Sequence, residues 1–518
     1  MCPAPCFMSS RKNKGIFLIL IFILAFWVRI YKLSEVPGEW YGDISNVHEY
    51  MMEILQGKQP FYFFQSNGPV YHYLILPFVL LFRNQGYETY KYSSVAVSFL
   101  GLWGIYLFVK ELSGRRIAYL TTIMAGISLW YLVWSRLGNS QIVIPGIISF
   151  SSFFLIRYLK FSRISDLCLT IAVTSLGWYT YPQTFILTPL IFIFILFYLI
   201  FRKRRREFLR HSAVLLVVTV LGIVPFILII INQNKFMAGN FGASGYVGEK
   251  ILPVFSMKPG EFWGKLGNNL KKTYLMLHLA GDRSFRVNVA GKSQIDGISG
   301  ILFIFGLIYM IRKMRRDFAI FIILSLLILP LPSVSPAIPE AEIPNSARTI
   351  AIVPFVFLLV SLGFWQVYLI LTKLFESRAV YLIMLLFMTV AFINLSDYFK
   401  AYAQGLHQEN LGPSRIIASY IDKHFPSDIN LYFAECCWGD YGEPEPKGIA
   451  YNLRKPGRHS EYSRIIGSCK ELDRPAILIF KRLEEIKGKF NDCIENAEQL
   501  QIETNSGENI ARMFVIKQ

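Results

Sequence analysis

Charged residues are scarce in this chain, and acidic residues are scarcer than basic ones. Only 17% of the 518 residues are Asp, Glu, Lys or Arg, whereas 53% are hydrophobic and the mean hydropathy is +0.41. Soluble globular proteins carry about 25% charged residues. The shortage excludes an ordinary soluble protein and predicts a membrane protein.

The surplus of positive charge does not indicate a nucleic-acid partner. The chain has 53 Lys and Arg against 35 Asp and Glu, yet residues 396–518 hold 16 basic and 18 acidic side chains. The whole surplus therefore lies in the apolar part, residues 1–395. There, Lys and Arg mark cytoplasmic loops, so we expect a lipid bilayer and no nucleic acid as partner.

Eleven long apolar runs, none of which contains Asp or Glu, fill most of residues 1–395. Most of them reach, with their flanks, the roughly 20 residues that a membrane-spanning helix needs. A twelfth run, residues 71–82, is shorter and predicts a helix along the outer surface. The sequence therefore predicts a polytopic α-helical membrane protein with about 11 transmembrane helices, at residues 15–30, 94–109, 117–133, 142–156, 167–181, 185–201, 214–231, 300–311, 318–331, 350–371 and 380–395.

The loops between these runs alternate between basic and nearly free of basic residues. Residues 202–206 and 312–316 are rich in Lys and Arg, whereas residues 333–347 contain neither. Basic loops stay in the cytoplasm. The alternation predicts a multi-pass plasma-membrane protein with a cytoplasmic N-terminus and an extracytoplasmic C-terminal domain.

Three long hydrophilic regions fall on the predicted external face. Two are loops within the membrane domain of residues 1–395, namely residues 34–92 and 232–299, and long loops of this kind are usually functional. The third, residues 396–518, predicts a small extracytoplasmic α/β domain. Its β-type runs lie at residues 429–434, 476–480 and 513–516, and its helical periodicity lies at residues 414–424 and 481–490.

Four of the seven cysteines lie in this C-terminal domain: Cys436, Cys437, Cys469 and Cys493. No Cys-x-x-Cys spacing is present, which disfavours a zinc site. External domains can hold disulfides. We expect a bridge from the Cys436/Cys437 pair to Cys469 or Cys493.

Titratable side chains follow the first apolar run closely. Asp43, His48 and Glu49 lie where a carboxylate could accept a proton from an incoming hydroxyl or amine. The alternative interpretation is a solvated loop acid or a helix cap, since Asp43 with Asn46 could start a helix over residues 47–55.

Basic residues on the predicted external face are rare, and Arg136 and Arg348 are two of them. An arginine there needs a partner, and its planar fork suits a phosphate. The alternative is that each pairs with Glu340, Glu342 or lipid headgroups.

Several short motifs occur in a characteristic order over residues 15–395. They are Gly42-Asp43…Glu49, Gly57…Pro60-Phe61, Asn67-Gly68-Pro69, Trp134-Ser135-Arg136-Leu137-Gly138, Gly177-Trp178-Tyr179-Thr180-Tyr181, Ala280-Gly281-Asp282…Arg286-Val287-Asn288, Gly300…Gly306, and Ala347-Arg348 leading to Gly363. Together they resemble the GT-C fold glycosyltransferases that use polyprenyl-phosphate sugars. The resemblance is to glycosyltransferase family 39, the dolichyl-phosphate-mannose protein mannosyltransferases, and to the aminoarabinose transferase of lipid A.

The resemblance implies an enzyme that moves a hexosyl or pentosyl group to a protein, lipid or glycan acceptor outside the membrane, with inversion. Asp43 and Glu49 are the catalytic candidates, and Arg136 and Arg348 the donor-phosphate ligands. It also implies a substrate-binding set of His48, Asn67, Tyr181, Asp282 and Arg286. No cofactor is predicted with certainty, and dependence on a divalent metal stays open.

Two further functions are consistent with parts of the sequence. Trp438-Gly439-Asp440-Tyr441-Gly442 resembles the acceptor-binding Trp-Trp-Asp-Tyr-Gly signature of oligosaccharyltransferases, although the second Trp is missing. A transporter of lipid-linked sugars is the non-enzymatic alternative. It is disfavoured because the apolar runs contain no acidic residue and the chain shows no internal repeat.

Overall fold

The computed structural model describes residues 11–39, 42–58, 68–82, 86–201, 205–232, 252–406, 412–434, 446–453, 464–481, 488–503, 507 and 509–517. The chain forms two compact units. The helical unit comprises Met1–Leu33, Glu53–Arg83 and Tyr90–Tyr402, and the sheet unit comprises Ser34–Met52, Asn84–Thr89 and Ala403–Gln518. The sheet unit thus includes part of the first external loop, and its C-terminal part begins at Ala403 rather than at residue 396.

Most of the described chain is helical. In chain order, the α-helices are α1 (Arg11–Ile30), α2 (Gly42–Leu55), α3 (Pro69–Phe82), α4 (Tyr87–Ser113), α5 (Arg115–Ile127), α6 (Leu129–Arg136), α7 (Ile144–Phe161), α8 (Ile164–Leu176), α9 (Leu187–Phe201), α10 (Arg205–Asn232), α11 (Leu252–Ser256), α12 (Pro259–Leu275), α13 (Gly297–Lys313), α14 (Arg316–Ile328), α15 (Ser346–Thr349), α16 (Val353–Phe375), α17 (Ala379–Ser396), α18 (Ala403–Gly405), α19 (Pro413–His424), α20 (Pro446–Asn452) and α21 (Asn491–Ile494).

Short turns of 3-10 helix and one π-helical turn join several of these helices. The π-helical turn is Asp397–Tyr402, and the 3-10 turns are Ser140–Val143, Gly177–Tyr179, Pro182–Ile186, Leu331–Ser333, Glu340–Glu342, Ile350–Ile352, Glu376–Arg378, Cys469–Glu471 and Gly488–Phe490.

The predicted apolar runs fall mainly on helices, which confirms a polytopic helical membrane protein, but about 11 separate spans are not confirmed. Among the described residues, six helical segments are long and apolar enough to cross a membrane, or seven if the bent pair α5 and α6 counts as one. One of the six, Ser346–Gly405, contains both α16 and α17. Other apolar segments, such as Gly15–Ile30 and Ile164–Tyr179, are shorter.

Two glycines bring α13 and α16 into direct backbone contact. A Cβ atom on Gly306 would lie 1.8 Å from the Leu359 carbonyl oxygen, and one on Gly363 would lie 1.8 Å from that of Leu302. Small residues allow membrane helices to approach closely. These glycines, which the sequence places in two separate motifs, therefore form one helix–helix contact.

The chain bends by 63° between α5 and α6. Polar side chains accept hydrogen bonds from the backbone amides at this break. The Ser128 hydroxyl accepts a hydrogen bond from the Tyr131 amide, and Asn394 Oδ1 accepts one from the Leu129 amide (3.0 Å). Asn394 also donates to Asp296 Oδ2 (2.9 Å), the side chain that caps α13. The start of α6, the start of α13 and the end of α17 are thereby joined.

The sheet unit contains a five-stranded mixed sheet in the order β2-β1-β3-β5-β4. Parallel pairs join β1 to β2 and β3, and antiparallel pairs join β5 to β3 and β4. The strands are β1 (Asn430–Ala434), β2 (Arg464–Ile466), β3 (Ala476–Phe480), β4 (Glu498–Glu503) and β5 (Asn509–Ile516).

Both faces of the central strand β3 are buried, because its side chains alternate between two apolar clusters. Ile477 and Ile479 pack with α19 and α20, whereas Leu478 and Phe480 pack toward α21. The predicted strands and the helix at residues 414–424 are present. The sequence missed β2 and β4, which are respectively very short and mostly polar, and residues 482–487 of the other predicted helix lie outside the described residues.

The predicted disulfide connectivity is wrong. Cys469 is bonded to Cys493, a pair separated by 24 residues, so neither is available to Cys436 or Cys437, which lie outside the described residues. Each partner belongs to the same apolar cluster on one side of the sheet. Closing a loop of this length is worth roughly 3 kcal/mol in the chain-entropy model.

Candidate functional site

Loops that the charge pattern assigns to the external face meet at one end of the helical unit, around the short helix α15. The Asp282 carboxylate accepts a hydrogen bond from the Ser346 amide (2.7 Å), and the Trp130 indole donates to the Ser346 carbonyl (3.3 Å). The Gln183 side-chain amide donates to the Ala347 carbonyl. Three of the sequence motifs therefore contribute to, or directly flank, one buried polar cluster, which we call the α15 cluster.

Arg348 extends from the α15 cluster, and its backbone is fixed. Asn345 caps α15, since its Oδ1 accepts from the Arg348 amide (2.9 Å). The guanidinium donates to Glu342 Oε2 at 2.6 Å, with side-chain exposures of 20% for Arg348 and 41% for Glu342. The pairing with Glu342, one of the alternatives drawn from the sequence, is present, and phosphate binding stays a prediction.

The Asp282 side chain is buried, with 3% exposure. It accepts hydrogen bonds from backbone amides of two different segments. Its Oδ1 accepts from the Ser284 amide (2.8 Å) in addition to the Oδ2 bond from Ser346. Burial raises the pKa of this carboxyl, and the hydrogen bonds from the Ser346 and Ser284 amides oppose that rise. The contacts suit a positioning residue, and its predicted contact with substrate stays untested.

The segment after Asp282 is a compact loop closed on itself. The Gly291 amide donates to the Asp282 carbonyl (2.8 Å), and the Asn288 side chain donates to that carbonyl (3.0 Å) and to Lys292 O (2.7 Å). The Arg286 carbonyl accepts from the Tyr402 hydroxyl (2.6 Å). This loop is half-buried at Arg286, whose predicted role in substrate binding is not tested.

Arg136 lies in a different environment from Arg348. It is fully buried, and its Nη1 donates to the carbonyls of Val28 (3.0 Å) and Tyr31 (2.7 Å). The guanidinium carbon lies 4.9 Å from the Tyr398 ring centroid and 5.2 Å from that of Phe399. These contacts satisfy carbonyls at the end of α1 and just beyond it, as basic residues commonly do at helix C-termini. Arg136 therefore has acceptors within the protein, and its predicted role as a donor-phosphate ligand is not tested.

The Asn67-Gly68-Pro69 motif and the Gly177–Tyr181 motif also meet. A Cβ atom on Gly68 would lie 2.4 Å from the Tyr179 carbonyl oxygen, so only glycine fits there. Tyr181 is half-buried, and its carbonyl accepts from the Thr184 amide (3.0 Å), which begins the turn that carries Gln183. Asn67 lies outside the described residues.

The first-loop candidates belong to the sheet unit. Glu49 Oε1 accepts from Lys447 Nζ (2.6 Å) and from the Tyr451 hydroxyl (3.3 Å), and the His48 ring lies 4.1 Å from the Tyr451 ring. Glu49 is therefore an ion-pair partner in this structure. Its catalytic role and the substrate-binding role of His48 stay predictions.

Asp43 lies in the first turn of α2, and its side chain is outside the described part of the structure. The helix begins at Gly42. The predicted helix start at Val47 is therefore wrong, whereas the alternative that Asp43 is a solvated acid or a cap is not tested. The role of Asp43 as general base stays a prediction.

Trp130, Gln183 and Asn345 are the functional candidates that the sequence reasoning missed. Each lies within four residues of a motif that was recognised, but a Trp, Gln or Asn in isolation carries no specific signal. Their roles depend on backbone atoms of α15, which a sequence motif does not reveal.

The described residues contain no group of three or more His, Cys, Asp or Glu side chains that could hold a metal ion. The possible dependence on a divalent metal stays open. Residues 438–442, the near-match to the oligosaccharyltransferase signature, lie outside the described residues.

The fold and the order of the motifs define a class of protein: a polytopic membrane protein of the GT-C fold. ArnT from Cupriavidus metallidurans in the apo state has the same fold, with a TM-score of 0.60 at 12% identity over 97% of this chain and 98% of that chain. ArnT bound to undecaprenyl phosphate gives a TM-score of 0.59 at 12% identity, covering 96% of this chain and 98% of ArnT.

Archaeal oligosaccharyltransferase AglB from Archaeoglobus fulgidus, in complex with an inhibitory peptide and a dolichol-phosphate, is similar as well. Its TM-score is 0.52 at 13% identity, over 91% of this chain and 70% of that chain. Residues 66–231 match the family described as dolichyl-phosphate-mannose-protein mannosyltransferase. The resemblance inferred from the motifs is thus confirmed. No curated protein matches this sequence.

Proposed function

We propose that this protein is a membrane glycosyltransferase that moves a sugar from a polyprenyl-phosphate donor to an acceptor on the extracytoplasmic face. The observation that carries the proposal is the α15 cluster, where separate motifs converge to fix the backbone of Arg348. The family match and the ArnT-like fold over nearly the whole chain support the same reading. The plasma membrane is the proposed location.

Arg348 is the proposed ligand for the donor phosphate. Its guanidinium is half-buried and already bound to a carboxylate, Glu342, which has the charge and planar acceptor geometry that arginine forks recognise. A phosphate monoester would compete with Glu342 for the same donors. The rigid anchoring of Ser346 and Ala347 would hold the guanidinium in place during the exchange.

Asp43 is the proposed general base. It would remove the proton from the acceptor hydroxyl or amine, whose heteroatom forms a bond to the anomeric carbon. The bond from that carbon to the phosphate oxygen breaks in the same step, so the configuration inverts. The polyprenyl phosphate leaves as an anion, which Arg348 would stabilise electrostatically.

Mass spectrometry of surface glycans tests this proposal in cells that lack the gene and carry either the wild-type or the Asp43→Asn protein. General-base catalysis contributes about 10²–10⁴-fold to the rate, so the variant should leave the glycan unmodified at normal protein levels. A matched control is Glu88→Gln, which removes a carboxylate that pairs with Arg415 within the sheet unit.

Wild-type glycan levels with Asp43→Asn would remove Asp43 from the mechanism and make Glu49 the next candidate. Identical glycans with and without the gene would reject the transferase itself. Accumulation of lipid-linked sugar on one side of the membrane, without transfer, would favour a transporter instead.

A further inference from the structure

A cleft of about 490 Å³ opens at the end of the helical unit that carries the predicted cytoplasmic loops. The start of α5, the end of α13 and the middle of α16 form its walls. Its polar and aromatic lining includes Arg115, Arg116, Lys313, Arg315, Tyr309 and Trp365. The cleft takes no part in the proposed sugar transfer and does not depend on it.

Positive charge in this cleft is largely uncompensated. Among the described residues, Arg315 pairs with Asp317 (2.6 Å), whereas Arg115, Arg116 and Lys313 form no ion pair with an acidic side chain. The Arg116 guanidinium lies over the Trp365 ring at 5.9 Å. Several like charges around one opening create a positive potential that an anion would neutralise.

The backbone adds to this potential. Gly114, at φ 87°, precedes α5 and provides no side chain to cap it, and the first-turn residues 115–117 line the cleft. The first amides of a helix lack internal acceptors and carry the positive end of its dipole. They are well suited to phosphate oxygens.

The surface beside the cleft favours a lipid over a soluble anion. Ile304, Ile308 and Ile311 share one face of α13, are 42–60% exposed, and lead directly to Lys313. On α16, Leu369 and Ile370 are also exposed. A ligand with a phosphate in the cleft and hydrocarbon chains along these side chains would satisfy both surfaces.

We propose that this cleft binds the headgroup phosphate of an anionic phospholipid. Arg115, Arg116 and Lys313 supply the charge, and the start of α5 supplies backbone donors. The chains of the lipid lie along the exposed isoleucines of α13.

Binding of fluorescent phosphatidylglycerol to the detergent-solubilised full chain tests this proposal. The triple variant Arg115→Gln/Arg116→Gln/Lys313→Gln should weaken binding by about 100-fold, since each basic residue near an anionic headgroup contributes about fivefold. The control Arg163→Gln/Lys373→Gln/Arg378→Gln removes the same charge elsewhere on the predicted cytoplasmic face and should bind like wild type. Should the triple variant fail to fold, Lys313→Gln alone should weaken binding by about fivefold.

Two results would overturn the proposal. One is equal loss of binding in the site variant and the control, which would indicate a diffuse surface effect. The other is full competition by glycerol phosphate at concentrations similar to the lipid, which would assign the cleft to a soluble anion. Phosphatidylcholine should bind no more tightly to wild type than to the triple variant.

Discussion

Two arginines at the predicted external end of the helical unit differ in their partners from two basic side chains of the cleft at the other end. At the predicted external end, Arg136 and Arg348 are each engaged by oxygen acceptors and held by aromatic rings or an ordered backbone. At the other end, Arg115 and Lys313 are exposed and pair with no acidic side chain in the described residues. The difference separates cations that organise a site from cations that set topology and attract lipid.

Within the external end, Arg136 and Arg348 also differ from each other. Arg136 binds two main-chain carbonyls and is sealed from solvent, whereas Arg348 binds a half-exposed carboxylate. The main-chain carbonyls that bind Arg136 are fixed parts of the chain. The Glu342 carboxylate, in contrast, can be displaced from Arg348 by another anion. Arg348 is therefore the arginine that a donor phosphate can reach by exchange.

Replacing Arg348 should give the largest effect on this comparison. Arg348→Ala should lower sugar transfer by about 10²–10³-fold, the loss typical of removing a donor from a developing anion. Arg348→Lys should lose less, because a point charge remains although the fork is gone. Surface-glycan mass spectrometry measures both, with Arg378→Ala at the opposite end as control. Equal activity of Arg348→Ala and Arg378→Ala would contradict the distinction between the two ends.

Replacing Arg136 should damage stability and leave chemistry intact. Arg136→Ala leaves the part-buried carbonyls of Val28 and Tyr31 without this donor, at a cost of about 1–3 kcal/mol. Thermal unfolding in detergent should shift down clearly, and Arg116→Ala, an exposed arginine, should shift it little. Transfer per folded molecule should match wild type. A normal melting temperature together with lost sugar transfer would indicate instead that Arg136 binds the donor phosphate.

An exposed pair at the external end should give the smallest effect. Hydrogen bonding from Lys272 lowers the pKa of Glu340 below its usual range. A lowered carboxyl pKa stabilises the fold at neutral pH, and that contribution is lost as pH falls through the lowered value. Lys272→Gln should therefore be slightly less stable at neutral pH and indistinguishable from wild type in acid. A large loss of stability at neutral pH would mean that the pair contributes more than an exposed ion pair usually does.

The sequence predicted the helical architecture well because apolar runs and basic loops report directly on a membrane protein. The predicted number of about 11 spans is not confirmed, since a run such as Ile164–Tyr179 has the composition of a span but is shorter than the helices long enough to cross a membrane. It also predicted the helix at residues 414–424 and three strands. The polar strand β4 and the Cys469–Cys493 connectivity depend on tertiary pairing, which spacing alone does not fix.

For the site, the motifs identified the right segments but not the role of each side chain. Gly68, Asp282 and Arg348 were recognised as parts of an ordered set, and the structure brings Asp282 and Arg348 together through α15. The capping role of Arg136 could not be predicted, because its acceptors lie more than 100 residues away along the chain. Gln183 and Trp130 bind main-chain oxygens, which leave no sequence signature.

The most direct test of the central claim is to measure polyprenyl-phosphate binding to the purified full chain and to its Glu342→Gln variant. Because the proposed donor phosphate competes with Glu342 for Arg348, removing the charge at residue 342 should tighten binding. In an Arg348→Ala background the same substitution should have no effect. Unchanged affinity in Glu342→Gln, or equal tightening with and without Arg348, would contradict the assignment of Arg348 as the phosphate ligand.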